Sequence, residues 1–298
     1  MLRRFAVSVL LAAVVLSVSG PVAEAAAPLP VVASFSILGD LVHQIGGDLV
    51  SVVTLVGPDG DAHVFEPSPD DARAVGAARL VVINGLGLEG WMSRLIQSSG
   101  YRGPVVVASG GVTPRAGGAH GGIDPHAWQN VANVELYARA IGAGLAQADP
   151  VHAGEYRAGT EAYVAQLEAL DREARTAFAT IERSRRKIIT SHDALGYFGD
   201  AYGLTLLAPV GFGTESEPSA RAVGALIDQI RKERIRAVFV ENMSDPRLLQ
   251  QIARESGAVI GGKLYSDALS PPDGAAPTYL AMVRRNIKLL IESIELAP

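Results

Sequence analysis

Between Asp149-Pro150 and Arg186 the chain runs through a long polar stretch with no further proline. Tyr156, Tyr163, Leu167, Leu170, Ala174, Phe178 and Ile181 recur within it at steps of three, four and seven residues. That spacing gathers the large apolar side chains onto one face of a single helix. At ~1.5 Å of rise per residue, such a helix is long enough to cross a whole domain. The segments before and after it are therefore expected to form two bodies joined by a stiff rod.

Each flank repeats one grammar. Before the rod, β-branched runs at 50–56, 80–84 and 105–108 read as strands, following a first extended segment from Pro30. After it, 187–190, 205–208, 237–241 and 259–265 read the same way, with helical stretches between. Strands that alternate with helices predict a mainly parallel sheet covered on both faces. The fold class is α/β: two Rossmann-like lobes with mainly parallel sheets joined by one long rigid helix. The expected division is 1–27 as a signal peptide, 28–149 as the first lobe, 150–186 as the linking helix and 187–298 as the second lobe. Ser68-Pro69-Asp70-Asp71 marks a helix start, with a capping hydroxyl, a proline at the first position and acids in the first turn. That helix is expected to run to about Ala78. The glycine-rich stretch 109–123, with Pro114 and Arg115, has no apolar period and reads as a loop. A last helix is expected over 278–296.

The N-terminus carries an export signature. Arg3 and Arg4 precede an apolar core at 5–18, and Ala23-Glu24-Ala25 or Ala25-Ala26-Ala27 offers a small-residue cleavage site. The core is shorter than the ~20 residues a membrane-spanning helix needs. Cysteine is absent, which excludes disulfides, thiolate metal ligands and a lipid-acceptor cysteine. The expectation is a free, exported protein of the periplasm. A net charge of -5 supplies no basic stripe for nucleic acid.

Four residues carry the chemistry. His63, His126, His192 and Asp267 each fall just past the carboxyl end of an expected strand, the edge at which open α/β sheets bind ligands. Three imidazoles and one carboxylate suit a borderline divalent ion, zinc above all. In Asp124-Pro125-His126-Ala127-Trp128 the proline stiffens the backbone around the histidine. Asp124 either orients the His126 ring or caps a turn, and Trp128 is expected to pack within its lobe. Glu241 ends a strand near the same edge, where it either supports the site or serves as a cap or ion pair, the latter preferred. His43 and His152 read as solvated helix residues.

Taken together, His63-x-Phe65-Glu66-Pro67, Asp124-Pro125-His126-x-Trp128, Ser191-His192-Asp193-Ala194-x-x-Tyr197-Phe198 and Tyr265-Ser266-Asp267 resemble the substrate-binding proteins of zinc and manganese ABC importers. The resemblance covers nearly the whole chain after the signal. It implies a metal held between the lobes, by His63 and His126 from the first and by His192 and Asp267 from the second. Manganese-preferring members commonly carry Glu at the third position, so His192 tilts the expected cargo toward Zn²⁺, with Mn²⁺ as the alternative. The implied partner is a membrane permease of the ABC class, with the receptor itself a monomer. Many zinc members carry a His-rich loop before the second ligand, whereas residues 110–123 hold only His120. His120 is therefore read as a bystander, and a periplasmic zinc chaperone becomes a candidate donor.

Other function classes fit less well. A metallohydrolase needs an open coordination position and a base. The chain has no His-Glu-x-x-His helix, and Glu241 is the one obvious base candidate. A receptor for an organic solute would line its cleft with aromatics and arginine, and aromatics make up only 6% of this chain with none clustered near the four residues. An adhesin role leaves no physical signature. The protein is expected to be a non-enzymatic receptor whose stiff central helix limits closure around its cargo.

Overall fold

The computed structural model describes residues 27–117, 121–215 and 217–296. The expected signal segment, apart from its last residue, and His120 lie outside the described residues.

The first lobe is built on strands β1 (Leu29–Phe35), β2 (Val50–Val56), β3 (Leu80–Ile83) and β4 (Val105–Val107). All pair in parallel, in the order β2-β1-β3-β4. β1 buries six of its seven residues, as a central strand covered on both faces must. Helices α1 (Ser36–Gly46), α2 (Pro69–Ala77), α3 (Met92–Ser99) and α4 (Val131–Ala148) accompany it. α2 opens where Ser68 predicts. The Ser68 hydroxyl accepts from the Asp71 backbone N at 3.3 Å, and the Asp71 carboxylate accepts from the Ser68 backbone N at 2.7 Å, a reciprocal box that satisfies two helix-end donors.

The rod is α5 (Ala153–Ala179). Its buried face is Tyr156, Thr160, Tyr163, Val164, Leu167, Leu170, Ala174 and Phe178, matching the sequence period. It stops seven residues before Arg186. Arg186 folds back to donate to the Ile181 carbonyl from Nε at 2.8 Å and Nη2 at 2.6 Å, holding the chain in the reversal that feeds the next strand. Ile181 stays buried but lies past the helix end. At the other end, His152 sits in a short turn and is half-buried, its Nδ1 2.7 Å from the Asp149 carboxylate, where the sequence suggested a solvated residue. His43 is exposed, as expected.

The second lobe repeats the topology. Strands β5 (Lys187–Ile189), β6 (Thr205–Leu207), β7 (Ala237–Glu241) and β8 (Val259–Leu264) pair in parallel in the order β6-β5-β7-β8. That is the same permutation as the first sheet, although no repeat is visible in the sequence. Helices α6 (Gly196–Tyr202), α7 (Ala220–Glu233), α8 (Arg247–Ser256) and α9 (Tyr279–Leu296) complete it.

The cores are not divided as the lobes are. One apolar cluster runs from the first sheet through α5 into α6 and α9, taking in Phe178, Phe198, Tyr202, Tyr279 and Met282. A smaller one, with Ile189, Val223, Ile227, Val238 and Ile252, lies wholly within the second lobe. α9 is also tied to the first lobe by polar bonds. The Tyr279 backbone N donates to Asp40 at 2.7 Å, and its hydroxyl donates to the Trp128 carbonyl at 2.8 Å. The linker and α9 are therefore packed as core elements, with their apolar faces removed from water.

Candidate metal centre

His63, His192 and Asp267 are fixed by turns that follow β2, β5 and β8, whereas His126, expected just past a strand end, lies well beyond β4 (Val105–Val107) in the turn that closes a long loop. His63 follows β2 through a tight turn in which Asp59 takes a left-handed backbone (φ 54°). The Asp61 carboxylate accepts from the His63 backbone N at 2.8 Å, and the Ala62 carbonyl accepts from Trp91 Nε1 at 2.8 Å. His126 follows Pro125, whose carbonyl accepts from Asn84 Nδ2 at 2.9 Å. Asp124 serves His126 twice, since Oδ1 accepts from the backbone N and lies against ring Nδ1, both at 2.9 Å. The orienting role for Asp124 is therefore the one realised, with the turn cap made by the same oxygen.

His192 leaves β5, and its carbonyl accepts from the Thr190 hydroxyl at 2.8 Å. Glu241, at the end of the neighbouring strand β7, accepts from the His192 backbone N at 2.9 Å, and its second oxygen lies 2.7 Å from ring Nδ1, off the line of a hydrogen bond. The Ser266 hydroxyl donates to that second oxygen at 2.5 Å. Glu241 is fully buried and committed to these partners, so it supports the site and is not available as a base. Asp267 follows β8 directly after Ser266. The Ser266 carbonyl accepts from Trp128 Nε1 at 2.9 Å and Gln129 Nε2 at 2.7 Å. Trp128 thus packs in its own lobe against Phe35, 5.0 Å between ring centroids, and also bonds to the other.

The four side chains converge. Asp267 Oδ2 lies 3.3 Å from His63 Nε2, 3.6 Å from His126 Nε2 and 3.0 Å from His192 Nε2. The Nε2 atoms of His63 and His126 are 3.2 Å apart. One ligand atom from each residue fits within 4.8 Å of all the others. A tetrahedral zinc with bonds near 2.1 Å has ligand-to-ligand edges of about 3.4 Å, and these four contacts straddle that value.

Electrostatics leaves the bare cluster in need of positive charge. Both oxygens of Asp267 and both ring nitrogens of His192 are buried without a hydrogen-bond partner. Buried polar groups are ordinarily paired, and orphaned ones are costly. Burial works against charge on His126, but Asp267 and Asp124 outweigh it and make the ring more basic than usual. For His192 burial is again opposed, by Glu241 and Asp267, and its pKa stands well above the ordinary value. Burial would raise Asp267, yet His126 and His192 hold it well below the usual carboxylate range. A divalent cation at this point would supply the positive charge that protons otherwise bring, and would have these atoms within reach.

The family model described as "zinc-uptake complex component A periplasmic" matches residues 31–293. The chain belongs to this family. It is 33% identical over 266 residues to the manganese-binding lipoprotein MntA of Halalkalibacterium halodurans, covering 89% of this chain and 88% of that protein. It is 31% identical to the iron-binding protein YfeA of Yersinia pestis, covering 89% and 86%. Among solved structures it resembles the periplasmic zinc binding protein TroA from Treponema pallidum, with a TM-score of 0.85 and 30% identity, covering 90% of this chain and 99% of that one. Members of this family are metal-binding receptors of ABC importers and not enzymes. Among the described residues no helix is long and apolar enough to cross a membrane.

Sequence reasoning left several supporting residues unassigned. Phe212 of the second lobe lies 6.2 Å from the His126 ring. Asn84 anchors the Pro125 turn and accepts from the Tyr137 hydroxyl at 2.5 Å. Neither residue type nor spacing advertises these roles, which exist only across contacts between distant segments.

Proposed function

We propose that this chain is the zinc receptor of an ABC importer, binding one Zn²⁺ through His63, His126, His192 and Asp267 and presenting it to a membrane permease. The observation that carries this reading is the set of orphaned, buried atoms on His192 and Asp267 facing two further imidazoles. Three neutral imidazoles and one carboxylate fill four-coordination and leave about one net positive charge on the site. Such a closed set suits capture and release. It leaves no open position for a hydrolytic water.

Manganese is the alternative cargo, favoured by the likeness to the manganese-binding MntA. Nitrogen donors at three of four positions argue for zinc over the harder ion. The receptor acts as a monomer in the periplasm, free of a lipid because the chain offers no cysteine to acylate. A metal-transferring chaperone is a candidate donor. The test is metal content of protein purified from the periplasm, followed by competition titration of the stripped protein with Zn²⁺ and Mn²⁺, in wild type and His192→Ala. The expected result is one tightly bound zinc per chain, greatly weakened in the variant. Preference for Mn²⁺ would move the assignment to manganese, and absence of any metal would overturn it.

A further inference from the structure

The base of the loop before His126 is held together on both sides. The Gly117 backbone N donates to the Gly122 carbonyl at 2.7 Å, the Asp124 backbone N donates to the Arg115 carbonyl at 3.0 Å, and Ala116 bridges Ile123. Arg115 is thereby held beside Asp124. Its Nη1 lies 3.1 Å from Asp124 Oδ2, the oxygen of that carboxylate not facing His126.

The same arginine reaches the other lobe. Its Nε donates to Asp200 Oδ2 in α6 at 2.8 Å, and its backbone N donates to the Tyr197 hydroxyl, also in α6, at 2.7 Å. α6 presses on the ion pair closely enough that a side chain at its first residue would displace it. A Cβ on Gly196, the first residue of α6, would fall 2.3 Å from Arg115 Nη1 and 2.7 Å from Asp124 Oδ2. α6 begins four residues after His192. His126 and His192, from opposite lobes, are thus connected around the outside of the site by the path His126–Asp124–Arg115–α6.

We infer that Arg115 is a positioning residue that couples the placement of α6 against the loop before His126 to the hold of His126 on the ion, and so sets the rate of metal release. This rests on the reading of His126 as a ligand. With the lobes together, the guanidinium holds one oxygen of Asp124 and the other keeps the His126 ring turned toward the ion. A shift of α6 against that loop pulls Arg115 between two carboxylates, Asp124 in the first lobe and Asp200 in the second. Asp124 then loses its fixed orientation, and the ring loses its support. Partners that orient a metal-binding histidine typically contribute 10–100-fold to metal affinity. A forked guanidinium serves two carboxylates at once in a way that a lysine ammonium does not.

The test is release of Zn²⁺ from loaded full-length protein into excess chelator, with equilibrium competition titration alongside, in wild type, Arg115→Ala, Asp200→Asn, the double variant and His126→Ala. We expect Arg115→Ala to speed release by about ten-fold or more. Asp200→Asn should speed it several-fold, and the double variant should release no faster than Arg115→Ala alone, because Asp200 acts through Arg115. The Asp200 side chain is 68% exposed, so its substitution keeps the test open if Arg115→Ala does not fold. Release within two-fold of wild type in the folded single variants, or full additivity in the double variant, overturns the inference. If wild type binds no metal, or His126→Ala releases like wild type, it is the ligand assignment that fails instead.

Discussion

Glu241 faces His192 at two points, accepting a hydrogen bond from its backbone N at 2.9 Å and lying as a charge partner 2.7 Å from ring Nδ1. One carboxylate thus fixes both where the residue leaves β5 and which ring nitrogen turns to Asp267. Asp124 does the same for His126 in the other lobe, at 2.9 Å for both contacts. The two lobes therefore prepare one imidazole each by the same device, a buried acid on the Nδ1 side.

Glu241→Gln keeps an acceptor for the His192 backbone but removes the charge from beside its ring. Zinc affinity is expected to fall by about 10–100-fold, read by competition titration. Affinity equal to wild type would mean that packing alone orients His192.

The site should respond to pH in opposite senses with and without metal. The raised pKa values of His126 and His192 mean that the metal-free fold gains stability from their protonated forms. That gain is fully present below the unfolded-state value of about 6.5 and is lost as pH rises through the higher folded values. The lowered Asp267 contributes stability above about pH 3.9, lost as pH falls through its folded value. Zinc must displace the protons, so the rise in Tm on adding Zn²⁺ should grow between pH 5.5 and 8. A Tm shift independent of pH across that window would contradict the cluster as described.

α5 rests directly on the end of α1. A Cβ at Gly159 would fall 2.2 Å from the Ile45 carbonyl oxygen, so Gly159→Ala must push the helices apart. Overpacking of this kind costs about 1–3 kcal/mol, offset by about 1 kcal/mol from the better helix propensity of alanine. Denaturant unfolding should show a lower midpoint with zinc affinity little changed. A midpoint at or above wild type would show that the contact relaxes freely.

Closure on metal binding should be small. Besides the stiff α5, the lobes share the bonds from Trp128 and Gln129 to Ser266, from the Asp59 backbone N to the Leu269 carbonyl at 2.9 Å, and from the Leu269 backbone N to the Ser36 hydroxyl at 2.9 Å. Small-angle scattering of stripped and zinc-loaded protein is expected to superimpose, with change confined to the loops around His126 and Asp267. A large domain rotation in those profiles would sink this picture.

Much of the site was legible in the chain because strand ends are. β2 and β7 fall at 50–56 and 237–241, as their β-branched runs predict, and His63, His192 and Asp267 follow the ends of β2, β5 and β8, whereas His126 comes from the close of the long loop after β4. The end of α5 was less legible. The apolar period continues through Ile181, but the fold needs the chain to reverse there, and Arg186 secures the reversal.

By itself the sequence determined that His63, His192 and Asp267 stand past strand ends, and hence that two imidazoles and a carboxylate would face a common edge, while the loop that brings His126 to them was left to the tertiary structure. Local periodicity and turn chemistry suffice for that, because they act within a few residues. Only the tertiary structure decided that Glu241 is committed to His192 and not free as a base. It alone revealed that Arg115 spans Asp124 and Asp200, and that α9 returns to the core of the first lobe. Those facts depend on contacts between segments far apart in the chain, whose distances and burial are set by packing.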